Sequence, residues 1–156
     1  MRAIFSLAEL EGKAGQEIAV SDWMPIDRER IRLFADATGD HQWIHVDEER
    51  CKRESPFGVP VAHGFLTLSL LPMLMESAFS ISDQGMAVNY GLNKVRFPSP
   101  VPAGSRVRAR ITLHEMSNVE NATQLVWQIT VEGEGGTKPA CVAELVTRCY
   151  GSASFR

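Results

Sequence analysis

Apolar residues change their spacing partway along this chain. From Asp27 to Thr38, the residues Ile31, Phe34, Ala35 and Thr38 fall on one face at helical spacing, and Asp27 can cap the helix start. Gly39 follows where a helix usually stops. From His63 to Phe79 the chain is apolar nearly all round: Phe65, Leu66, Leu68, Leu70, Leu71, Met73, Leu74, Met75, Ala78 and Phe79. A membrane-spanning helix needs about 20 mostly apolar residues. This stretch is shorter, and Pro72 and Glu76 interrupt it. It predicts one helix buried in a globular core, kinked at Pro72.

The second half reads at strand period. Ala87 to Phe97, Ser105 to Met116, Gln124 to Glu132 and Ala140 to Tyr150 predict strands. Pro98 to Gly104 and Gly133 to Pro139 separate them, and short turns make antiparallel neighbours. Smaller pieces come earlier: a helical turn at Ser6 to Leu10, a strand at Gln16 to Val20, and a loop from Gly39 to Phe57 carrying a short helix near Asp47 to Cys51. Ser55 to Pro60 is turn chemistry. One buried helix followed by long strands is α+β. A curved antiparallel sheet around one central helix satisfies both patterns. No repeat interrupts the 156 residues, so 1–156 is expected to be a single domain with a sizeable core.

Composition narrows the partners. The chain is 44% hydrophobic and 22% charged, which is ordinary for a soluble globular protein. Its net charge of -3 gives no general attraction to nucleic acid or to an anionic membrane. Cys51, Cys141 and Cys149 form no CxxC, and an odd, scattered count fits reduced thiols in a cytosol better than disulfides or a zinc site. The residues from Met1 to Glu11 make a poor signal peptide, so a cytoplasmic location is expected. Asn121-Ala122-Thr123 matches a glycosylation sequon and reads as a turn.

The candidate chemistry lies in Gly39-Asp40-His41-Gln42-Trp43-Ile44-His45 and in Ala62-His63-Gly64-Phe65. A carboxylate and an imidazole on one short loop can share a water and handle its protons. Positions five apart point about 140° from each other on a helix and to opposite faces on a strand, so Asp40 and His45 converge only if the loop curls. The plain alternative is an Asx turn at Asp40 and a satisfied surface histidine. A glycine opening a long helix weakens it by about 1 kcal/mol relative to Ala. Gly64 is therefore read in two ways. A ligand approaches its bare N–H at the positive helix end, or the helix end packs closely on a strand. Together these residues suggest addition or removal of water next to a carbonyl.

Arg106, Arg108 and Arg110 alternate with Val107, Ala109 and Ile111. They are either a strand's solvated face or a basic rim meeting the phosphates of a large anionic ligand, extended by Lys94 and Arg96. His41 flanks Asp40 and could tune it; His114 sits mid-strand without an evident partner. Met73, Met75 and Met86 read as core filler.

Phe34-Ala35-Asp36-Ala37-Thr38-Gly39-Asp40-His41-Gln42-Trp43-Ile44-His45 resembles the hydratase motif of the MaoC-like, (R)-specific enoyl-CoA hydratases. Val61 to Leu66 resembles the start of that family's central helix, and Val95 to Gly104 its strand-turn-strand segment. The resemblance runs from about Asp27 to Tyr150. It implies a hot-dog fold, a homodimer and an acyl-CoA substrate. No cofactor and no metal are implied. It makes Asp40 and His45 the catalytic pair and the Gly64 N–H the donor to the thioester oxygen, with Gln42 and His63 in support. Arg106 and Arg108 are candidates for substrate binding. A pocket near Phe65 and Leu68 would set acyl length. The family motif usually has Asn at the position of Gln42 and Pro at that of Trp43. This version is most similar to the nodulation-protein-N-like subgroup, which includes mycobacterial-type hydratases. Gln42 keeps an amide with longer reach, and Trp43 must pack elsewhere.

Two other functions remain in view. Hot-dog thioesterases commonly carry an acid early on the central helix, but His63 to Met75 has none and Glu76 comes near the far end. A non-catalytic acyl-CoA-binding protein would not need Asp40, His45 and Gly64 together.

Overall fold

The computed structural model describes residues 2–151. Met1, where the leader reading begins, and positions 152–156 of the expected domain lie outside the described residues. In chain order the elements are β1 (Ala3–Phe5), α1 (Leu7–Glu11), β2 (Glu17–Val20), β3 (Met24–Ile26), α2 (Arg28–Thr38), α3 (Trp43–Val46) and α4 (Glu48–Glu54). Then come α5 (Gly64–Ser69), α6 (Leu71–Ala78), β4 (Phe79–Ile81), β5 (Met86–Arg96), β6 (Ser105–Val119), β7 (Ala122–Gly133) and β8 (Cys141–Tyr150).

The four long strands stand where the period-two pattern put them. They form one antiparallel sheet in the order β2-β6-β7-β8-β5, and β3 pairs beside β2 on the same flank of β6. Ile111 faces Ile129 across the β6–β7 pair, and Trp127 faces Leu145 across β7–β8. On β6, Val107, Ala109, Ile111 and Leu113 are all fully buried. His114 follows on the outward face and is exposed, and a bulge between Leu113 and Glu115 then breaks the alternation, so that Glu115 is exposed too. The buried faces of these strands pack on Leu66 of α5, on Leu70 between the helices, and on Leu71, Leu74 and Ala78 of α6, giving the sheet-around-helix arrangement of a hot-dog.

The central helix departs from the single element that apolar spacing predicted. It is two helices meeting at Leu70, with Pro72 in the first turn of the second. Proline has no N–H for the carbonyl of Leu68 and is best tolerated at a helix start, so the chain restarts there. Phe79 belongs to β4, not to the helix. β4 pairs in parallel with β1, and these short strands carry too little pattern to read from sequence. Asn121 falls in the β6–β7 turn, as the sequon reading had it.

Asp27 caps α2, with a carboxylate oxygen accepting the Arg30 N–H at 2.8 Å. Gly39 ends α2 at φ 76, a left-handed conformation open to glycine and strained for most residues. The loop after it is more helical than expected: α3 is one turn, and Asp47 both closes α3 and caps α4. All three cysteines are free and buried; burial pushes the Cys141 and Cys149 thiols up to about 11, which leaves them unreactive.

Candidate active site

Three segments meet at a cleft of about 450 Å³ lined by Phe34, Thr38, Asp40, His45, His63, Gly64, Phe65 and Phe97. α2 supplies half-buried Phe34 and exposed Thr38 from the face that also carries Ile31 and Ala35, and the left-handed turn at Gly39 ends the helix just before Asp40. α3 presents His45. The segment before α5 supplies His63 and Gly64. The convergence that spacing alone could not decide is therefore achieved, by a turn at Gly39 followed by one turn of helix.

Hydrogen bonds fasten the segment before α5 to α3 on one side and to the connection between β5 and β6 on the other. The Val61 N–H donates to the Ile44 carbonyl at 3.0 Å, and the Ala62 N–H to the Val101 carbonyl at 2.8 Å. His45 Nδ1 lies 2.7 Å from the Val61 carbonyl oxygen. A carbonyl only accepts, so Nδ1 carries the hydrogen and Nε2 is left with a bare lone pair. Burial pushes the His45 imidazole below the usual histidine value, and the neighbouring His63 ring adds to this; the Val61 carbonyl and Asp40 oppose it. The outcome is an uncharged ring with one basic nitrogen free.

A carboxylate oxygen of Asp40 and one ring nitrogen each of His45 and His63 all lie within 4.8 Å of one another. A single water making bonds of about 2.8 Å to two acceptors spans such a distance. The same set has the composition of a divalent-ion site. However, the His45 and His63 rings lie face to face, with centroids 3.7 Å apart and planes 22° from parallel. Metal-bound imidazoles turn their edges, not their faces, toward one shared ion, so this arrangement fits proton handling better than ligation. Asp40 itself is exposed, and its Oδ1 accepts the Gln42 backbone N–H at 3.3 Å.

The supporting residues fall differently from the roles their side chains suggested. Gln42 meets Asp40 through its main chain, and its amide makes no cap bond to α3. Trp43 packs under the Arg50 guanidinium, 4.3 Å from the ring centroid. His41 turns to Asp36, at 2.8 Å, and that hydrogen bond raises its pKa; its ring is tied to α2. Gly64 opens α5, so its N–H is among those without an intrahelical acceptor.

The arginines of β6 lie elsewhere. Arg106 pairs with Glu134, Arg108 with Glu132 at 2.8 Å, and Arg110 with both Glu132 and Glu17. The Arg108 guanidinium also stacks 4.5 Å from the Trp23 ring centroid. None of the three lines the cleft. They form an ion-paired outer face of the sheet, the simpler of the two readings. Glu76 lines a separate cavity of about 350 Å³ with Met75 and Phe79, at the other end of the helix pair. It does not line the cleft that holds Asp40 and His45. Sequence reasoning gave His63 only a vague place and missed Phe34, Thr38 and Phe97. Phe34 and Thr38 carried the α2 periodicity, but nothing local said they would face a cleft.

Comparison with known proteins identifies relatives of this chain. The chain is 53% identical over 149 residues to the 3-hydroxyacyl-thioester dehydratase Z of Mycobacterium tuberculosis, covering 95% of this chain and 98% of that one. It is 50% identical over 145 residues to nodulation protein N of Rhizobium leguminosarum bv. viciae, covering 91% and 89%. Among solved structures, the R-hydratase PhaJ1 from Pseudomonas aeruginosa shares the fold with a TM-score of 0.70 at 21% identity, covering 93% of this chain and 85% of that one. The MaoC like domain family matches residues 9–134. This chain belongs to the MaoC-like dehydratase family, hydro-lyases built on the hot-dog fold.

Proposed function

We propose that the protein is an (R)-specific enoyl-CoA hydratase, interconverting a trans-2-enoyl-CoA and an (R)-3-hydroxyacyl-CoA. The observation that carries this is a ring nitrogen of His45 within 4.8 Å of the Asp40 carboxylate in one cleft, a span that one shared water bridges, on a ring whose Nδ1–H is already held by the Val61 carbonyl. The relative from M. tuberculosis is named for action on a 3-hydroxyacyl thioester, and solved neighbours are named (R)-hydratases.

In the hydration direction Asp40 and His45 hold the water. His45 Nε2 takes one proton as the water oxygen bonds to C3. The alkene electrons move toward C2, and negative charge builds on the thioester oxygen. The Gly64 N–H meets that charge; such a donor is worth about 2.7–4 kcal/mol in other enzymes. The proton collected from water returns to C2, so the pair ends the turnover as it began. The thioester already activates the alkene, and the reaction as written uses no metal and no cofactor.

The working unit in this reading is a homodimer. β5 is the last strand of the sheet and bonds only to β8 among the described residues. Its Met86, Val88, Tyr90 and Leu92 are exposed, as is Phe65 at the cleft mouth. An open, apolar strand edge of this length is a surface that a second copy covers. A reducing cytosol suits the three free thiols, and no helix among the described residues is long and apolar enough to cross a membrane.

The test is direct. Purified protein is assayed on short and medium trans-2-enoyl-CoAs beside Asp40→Asn and His45→Gln. Both substitutions are expected to remove most of kcat, since acid–base help is typically about 10²–10⁴-fold. A wild-type rate no better than either variant would end the assignment.

A further inference from the structure

The geometry points to His63 as the positioning residue of this site, holding the Asp40 loop and the His45 ring in one fixed arrangement. This rests on the hydratase reading for its kinetic consequence but not for its structural content.

His63 is only 3% exposed, the most buried of the groups at the cleft that can carry a proton. Its Nε2 lies 3.0 Å from the main-chain carbonyl oxygen of Asp40. That oxygen only accepts, so the hydrogen sits on Nε2 and Nδ1 carries the lone pair. His63 Nδ1 has no hydrogen-bond partner among the described residues, an exception for a buried polar atom. One face of the ring covers His45 at 3.7 Å, and Phe34 of α2 leans on it at 4.9 Å, tilted 57°. His63 also stands at the N-cap position of α5, immediately before Gly64, so the two share one peptide unit.

One side chain thus touches every part of the proposed machinery. Through Nε2–H it anchors the backbone of the loop that carries the carboxylate. Through its face it sets the plane of His45, whose Nδ1–H is already pinned to Val61. Through its own main chain it places the Gly64 N–H. The ionisable groups facing it are Asp40 and His45; Phe34 closes the third side without charge. None of these contacts reaches a substrate, so the role is one of placement. Misplacing a reacting group by about 1 Å can cost about 10²-fold in rate.

Two substitutions separate the contacts. His63→Phe keeps a flat ring against His45 and removes the N–H to Asp40. His63→Gln keeps an N–H donor and removes the ring. We expect His63→Phe to lower kcat by about 10²-fold with KM within about twofold, and His63→Gln to recover about tenfold of that loss. In His63→Gln, which uncovers one face of the His45 ring, the acid limb of the kcat/KM profile moves to higher pH, because burial is the main cause that holds the His45 pKa down; in His63→Phe, which keeps that face covered, the limb stays in place. A purely structural role would lower thermal stability and leave the acid limb in place. Folded variants with kcat within about twofold of wild type, or equal losses in both with an unmoved acid limb, would overturn the proposal. Imidazole ¹⁵N spectra decide the remaining cases. If the wild type turns over no enoyl-CoA, the hydratase reading fails, and a His45 titration shifted upward in His63→Gln still upholds the placement. If neither variant folds, the wild-type spectrum must show His63 protonated on Nε2; a hydrogen on Nδ1 overturns the inference.

Discussion

A methyl group added to Gly64 would sit 2.9 Å from Cδ2 and 3.0 Å from Cγ of Phe97. Ordinary carbon contacts are about 3.5–4.0 Å. Cγ is the root of the ring, so the whole side chain must move, and Phe97 already leans on Phe65 at 6.1 Å. The glycine is therefore needed for close packing of the helix start on the segment after β5, whatever its N–H does. Gly64→Ala is expected to cost about 1 kcal/mol, at the low end for overpacking because Phe97 is partly exposed. It should also cut kcat/KM by distorting the cleft wall. Adding Phe97→Leu should restore both, read by thermal unfolding and steady-state kinetics. A double variant as impaired as Gly64→Ala alone would mean that the clash is not the cause.

Burial holds His45 below the ordinary histidine value, so acid should unfold the protein more readily than it unfolds His45→Gln. The unfolded chain takes up a proton at this residue near pH ~6.5, before the folded one does. Stability then declines as pH falls through the window between that value and the lower folded one. His41 has the opposite sign, since Asp36 raises its pKa: its contribution is present at low pH and lost as pH rises. Comparing wild type with His45→Gln cancels His41. Urea unfolding at about pH 7 and about pH 5 should show wild type losing more than the variant. Equal losses would contradict the burial argument.

Asp27 is remote from the chemistry yet caps the helix that delivers Asp40. Asp27→Ala should remove about 1 kcal/mol of stability, a fall of about 2–4 °C in Tm at this chain length. kcat at a temperature well below unfolding should stay near wild type. A large fall in kcat with unchanged Tm would show that the cap acts on the loop rather than on the helix.

If β5 is the subunit contact, a charge placed on it should separate the copies. Leu92 is 40% exposed and lies near the middle of the strand. Leu92→Lys is expected to yield a monomer by sedimentation velocity while leaving circular dichroism unchanged. Wild type that sediments as a monomer would remove the dimer from the functional reading.

Arg108 is held between Glu132 and Trp23, away from the cleft. Arg108→Ala should therefore leave KM for an enoyl-CoA within about twofold, with a stability loss of about 1 kcal/mol or less for a partly exposed pair. A rise in KM that weakens as salt is added would restore the phosphate-binding reading of this face.

Much of the architecture could be read along the chain because the signals were local. Asp27 and Gly39 bracket α2, and the period-two strands lie within a few residues of their predicted places. The short strands β1, β3 and β4 escaped because three residues cannot show a period, and because β1 and β4 support each other across the chain. The division of the central helix at Leu70 was visible only as a proline.

By itself, the sequence determined the α+β class and the placement of the apolar residues in one core, and it put forward Asp40, His45 and Gly64 as candidates for the chemistry. Those follow from side-chain period and from what each group can donate or accept. Only the tertiary structure decided that His45 gives its Nδ1–H to the Val61 carbonyl while sharing a cleft with Asp40, that His63 lies flat against it, and that the β6 arginines are engaged in ion pairs. The physical reason is that hydrogen-bond direction and ring stacking depend on partners such as the Val61 carbonyl, sixteen residues away, whose position is fixed by packing and not by local spacing.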